Sequence, residues 1–211
     1  MFKKLVVGAG VALAAVGGPV AFGAGTAGAA PPPVTLSGAA TCAATGLMTF
    51  GAPLTNNPSS QVKVRVRVAI TKCTGVGTTS GAVTLETGTL IAASSTTMLN
   101  ACGALLDNVA LPPLTGRIKW TGKGGGIVGT SVTVTGESGF YDQGRNKFNL
   151  HLPVALGTGS FAGQPATFAG LGANQSGSTL SSACSTAKGL KSFSFGHPGR
   201  HLTGSLTIAG A

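Results

Sequence analysis

Two histidines flank a Pro-Gly pair in His197-Pro198-Gly199-Arg200-His201, and the third, His151, lies in a segment with strand character. A tight turn can bring two imidazole nitrogens onto one ion, and a third ligand would complete an exported zinc or copper site. Arg200, inside the pair, repels a cation, and Pro-Gly is ordinary turn chemistry. The segment is therefore read as a polar hairpin between two strands, with no metal and no cofactor expected. Carboxylates are equally sparse: Glu86, Asp107, Glu137 and Asp142 are the only four, each in polar or turn-like surroundings. Glycoside hydrolysis needs two of them across a cleft, and four surface acids are the simpler reading. No serine stands in a Gly-x-Ser-x-Gly elbow, no His-Glu-x-x-His occurs, and Gly122-Lys123 runs into glycine where a phosphate loop needs Ser or Thr. These patterns lead to no catalytic residue. An enzyme would have to draw on scattered groups such as His151 with Asp142 or Glu137.

The basic residues are better organised. Lys63, Arg65 and Arg67 alternate with Val62, Val64, Val66 and Val68, and Arg117 and Lys119 alternate with Leu114, Ile118 and Trp120. In a strand, alternate residues share a face and recur about every 7 Å, so each set projects from one side. If the two strands are neighbours, these five cations form a patch suited to phosphate- or carboxylate-bearing polymers. The competing reading is that Lys and Arg keep solvent-facing strands soluble and discourage edge pairing. The formal charge is +10, yet charged residues are only 9% of the chain. Nucleic acid is not the expected partner, because Trp120 and Tyr141 are single and no basic helix accompanies them. Anionic envelope polymers or lipids fit better.

The compartment follows from the first thirty residues. Lys3-Lys4 precede the apolar run from Leu5 to Val16, then Gly17-Gly18-Pro19, then small residues ending in Ala27-Gly28-Ala29. That is the order of a cleavable secretory signal. A spanning helix needs about 20 apolar residues, and Gly-Gly-Pro interrupts this one first. Cleavage after Ala29 divides the chain into a signal, 1–29, and a single secreted domain, 30–211. The domain has 182 residues and a charge of +8, because Lys3 and Lys4 are lost. It holds all four cysteines, Cys42, Cys73, Cys102 and Cys184. An even count outside the cytoplasm reads as two disulfides, and four cysteines permit three pairings. Cys42–Cys73 with Cys102–Cys184 is preferred: the first would join two early strands, the second a central loop to the C-terminal third.

What must position these groups is a set of short strands. Val62–Ile70 alternates over nine residues, as a half-buried strand requires. Further strands are expected at Leu47–Phe50, Ala82–Ile91, Leu114–Trp120, Ser131–Thr135, Lys147–Val154, Ala166–Ala169, Leu190–Phe195 and Leu202–Ile208, and no amphipathic helix is expected. Glycine turns and threonine-rich outer faces then indicate an all-β antiparallel sandwich or barrel. The run into Thr71-Lys72-Cys73-Thr74-Gly75, the Arg117-Ile118-Lys119-Trp120 strand and the Gly157–Gly163 turn together resemble the small exported, disulfide-containing β-proteins of actinobacteria, a group of unknown function. That resemblance implies a secreted all-β fold and no catalytic residue. The expectation is a non-catalytic secreted or envelope-associated domain. Its rivals are a membrane β-barrel or small-ligand carrier, and an extracellular enzyme without a motif.

Overall fold

The computed structural model describes residues 30–103, 111–135, 138–142, 147–196 and 204–210. The expected signal 1–29, Asp107, Glu137 and the His197–His201 turn lie outside them, as do the side chains of Asp142 and His151. The chain divides into two units, of which the second, Pro31–Ala211, is compact. The second unit holds every strand below and both disulfides.

Inward Val and Ile at every second position make β3 (Val64–Thr74) the most regular strand; Val64, Val68 and Ile70 are fully buried while Arg65 and Arg67 are exposed. It pairs on one side with β1 (Ala40–Leu54) and on the other with β5 (Val83–Ser94). β2 (Gln61–Val62) and β6 (Met98–Leu99) form a separate two-stranded ladder, and β4 (Thr79–Ser80) turns into β5. β5 pairs in turn with β7 (Leu114–Lys123), and β7 with β8 (Thr130–Val134). β10 (Lys147–Leu156) takes β8 near its end and β9 (Ser138–Asp142) near its start. β11 (Pro165–Ser176) follows on the far side of β10. The last position is shared: β13 (Ser205–Ile208) joins the first part of β1 to β11, and β12 (Leu190–Phe195) joins the second part.

The circuit β1-β3-β5-β7-β8-β10-β11-β13 returns to β1, with every pairing antiparallel. The all-β expectation holds, and of its two forms the sheet takes the closed one. Sandwich edges would have to fall at β10–β11 or β13–β1, and both positions are hydrogen-bonded ladders. The interior is filled. Met48, Leu90, Ile118, Phe168, Phe193 and Phe195 are all essentially inaccessible.

Two features run beyond their sequence signals. β1 covers fifteen residues where only Leu47–Phe50 stands out, because Ala40, Cys42 and Ala44 face inward without the bulk that makes a period visible. Among the elements described in full there is one helix, α1 (Gly177–Cys184), where no amphipathic helix is expected. It buries only Gly177, Leu180 and Cys184, too small an apolar face to read by periodicity. Its sequence signal is the N-cap: the Ser176 hydroxyl accepts the Thr179 backbone N–H at 3.1 Å.

The disulfides are Cys42–Cys73, across β1 and β3, and Cys102–Cys184, which ties the segment after β6 to the end of α1. This is the pairing preferred from the sequence. The bridges sit at opposite ends of the barrel, since β1 begins at the first and Leu54, its last residue, lies beside Thr55, which bonds Cys102.

Candidate functional site

Burial of alternate valines on β3 forces its other residues outward, and the same alternation on β7 exposes Arg117 and Lys119 over buried Ile118 and Trp120. Lys63, Arg65, Arg67, Arg117 and Lys119 are all exposed. Lys63 falls in the break between β2 and β3, where its carbonyl accepts the Gly51 N–H at 3.0 Å.

The two basic strands are not neighbours, so the patch differs from the one expected of adjacent rows. β5 runs between them, and register places Ile91 opposite both Arg67 and Arg117. Leu47 of β1 lies opposite Arg67 on its other side. One row across four strands therefore reads Leu47, Arg67, Ile91, Arg117. Strands are about 4.8 Å apart, so the two arginine Cα atoms are roughly 10 Å apart with Ile91 midway. On either side of that row Arg65 pairs with Ala93 and Lys119 with Thr89. Ile91 is thus ringed by four cations at direct and diagonal cross-strand positions.

The surface is grooved. Arg67, Thr89, Ile91, Gly116, Arg117 and Lys119 line one depression. Thr45, Leu47, Ala69 and Ser194 line another, which shares Arg67 with the first. The Arg117 side chain lies over Gly129, where a β-carbon would come within 2.8 Å of its Nε. Among the described residues no ion pair forms. Glu86, the one acid whose side chain is described, is exposed elsewhere on β5. The cations face solvent without an anionic partner.

Leu47 and Ile91 are not among the candidates read from the sequence, although both fall inside expected strands. They are 42% and 61% exposed, two of the four large apolar side chains left in solvent among the described residues. Among those residues no group of three or more His, Cys, Asp or Glu side chains gathers in a metal-binding arrangement. No family model, curated protein or solved structure matches the chain.

Proposed function

We propose that this is an exported, non-catalytic β-domain that holds anionic envelope components, polymers or lipids, on the β3–β5–β7 face. One observation carries the reading. β3 is paired on both sides at Arg65 and Arg67, and β7 on both sides at Arg117, so these three cations have no edge to protect, and the edge-guarding explanation of Lys and Arg does not apply to them. Unpartnered cations on interior strands are better accounted for by an anion brought from outside.

Other observations favour this reading over its rivals. A membrane barrel needs an apolar outward band and tolerates a polar lumen. Here Val64, Val66 and Val68 face the interior while Arg65 and Arg67 face out, the opposite polarity. A small-ligand carrier needs an open lumen, whereas phenylalanines and leucines occupy this one. Two disulfides are in keeping with an oxidising compartment. The small-residue site at Ala27-Gly28-Ala29 supports export by a cleaved signal.

The test is charge reversal. Lys63→Glu, Arg65→Glu and Arg67→Glu together should abolish co-sedimentation with anionic envelope material. Binding by the parent should weaken with added salt, because exposed charges are screened over about 8 Å at physiological ionic strength. The inward valines are untouched, and outward changes usually cost little stability. An unchanged melting temperature and Trp120 emission would establish that the variant is folded. Equal binding by folded variant and parent would remove the function from this face.

A further inference from the structure

The proposed function leaves open which anionic component the face takes. We infer that it is a lipid surface: the row Leu47-Arg67-Ile91-Arg117 docks on an anionic membrane, with the two aliphatic side chains entering the interface and the cations meeting headgroup phosphates. This rests on the anionic-binding reading and narrows it.

A soluble polyanion asks only for charge, and exposed aliphatics add nothing to its binding. This face exposes Ile91 more than half, at the centre of Arg65, Arg67, Arg117 and Lys119. Leu47 repeats the arrangement on the other side of Arg67. Large apolar side chains on a monomer's surface are ordinary when scattered. Here two of the four exposed among the described residues share one row with two arginines. Aliphatic contacts in the acyl boundary with Lys and Arg beside them are the composition of a peripheral membrane surface. Arginine suits the position, because its methylene stem lies along apolar surface while the guanidinium stays at the phosphates. No carboxylate stands in the row or at the positions flanking it; Glu86, the one acid whose side chain is described, is exposed five residues along β5 from Ile91. Its remaining outward residues, Thr45, Thr49, Thr89, Ala93 and Thr115, are small and let the long side chains reach past them.

The experiment uses the protein without residues 1–29, two kinds of vesicle and one soluble probe. The vesicles are pure phosphatidylcholine and phosphatidylcholine mixed with phosphatidylglycerol; the probe is inorganic polyphosphate. The parent should sediment with the anionic vesicles and not with the neutral ones. Arg67→Gln and Arg117→Gln should each weaken that binding about fivefold. Leu47→Ser with Ile91→Ser should weaken it about tenfold while leaving polyphosphate binding unchanged. Ile91→Thr, which keeps β-branching, replaces the serine variant if serine lowers the melting temperature. If the folded aliphatic variants bind anionic vesicles as well as the parent, the lipid assignment is wrong. It is wrong too if the parent takes polyphosphate but no vesicle, and the anionic-polymer reading then stands alone. If the parent takes neither, both fall.

Discussion

The indole N–H of Trp120 is buried, and its partner decides how one end of the barrel is closed. It donates to the Thr130 hydroxyl at 2.8 Å, that hydroxyl donates to the Ser160 carbonyl, and the Ser160 hydroxyl accepts the Leu36 N–H at 3.1 Å. Phe161, at φ 60°, turns its ring edge-on against Trp120 with centroids 5.6 Å apart. Thr130 is therefore both acceptor and donor at a site without water access, 0% exposed. Thr130→Val keeps the shape and strands two polar groups. Each unpaired buried group costs about 1–3 kcal/mol, so denaturant unfolding should report a loss of about 3 kcal/mol, with changed Trp120 emission. An unchanged unfolding midpoint would mean that the chain of bonds contributes nothing. Alternation around Arg117 and Lys119 makes Trp120's inward direction readable in the sequence. Nothing local marks Thr130 as its partner, because Ser160 and Leu36 arrive from distant parts of the chain.

Within elements, period two is readable wherever the strand is regular, and it fails where a strand breaks step. β5 buries Val83 and Leu85, then shifts register between Leu85 and Thr87, and afterwards buries Leu90 and Ala92. Counting by twos from Val83 would put Ile91 inside. The irregularity moves it outside, since a one-residue slip exchanges the two faces of a strand. This is why the apolar centre of the basic face cannot be read from composition, although all five cations can. The same strand relies on an absent side chain. Gly88 is opposite Trp120, and a β-carbon there would lie 2.5 Å from the ring; Gly46 stands in the same relation to Phe195 on β12. Gly88→Val should accordingly lower stability by about 1–3 kcal/mol through overpacking, despite valine's preference for strands. A thermal melt equal to or above the parent's would show that Trp120 can move aside freely.

For the unit as a whole, the cysteines and the strand count lead to the right class, whereas the choice between sandwich and barrel depends on pairings that no local pattern records. Ala40 meets Ile208, and Lys147 meets Ser176. The bridges close loops with separations of 31 and 82 residues. On the chain-entropy account they contribute about 3.7 and about 4.5 kcal/mol. Protein recovered from outside the cell should have the intact mass of a chain beginning at Ala30 and take up no thiol label before reduction. Reduction should then lower its melting temperature, with loss of Cys102–Cys184 costing more than loss of Cys42–Cys73. A full-length mass or ready labelling would overturn the export proposal. Closure also imposes an order in time. The first half of β1 has one flank that only β13 fills, with Ala43 waiting for Ser205, so the ring cannot be completed until the chain has been made as far as Ile208. Such distant contacts make folding slow, on the order of milliseconds to seconds. A chain that cannot finish folding until its last strand arrives stays threadable while it is being made.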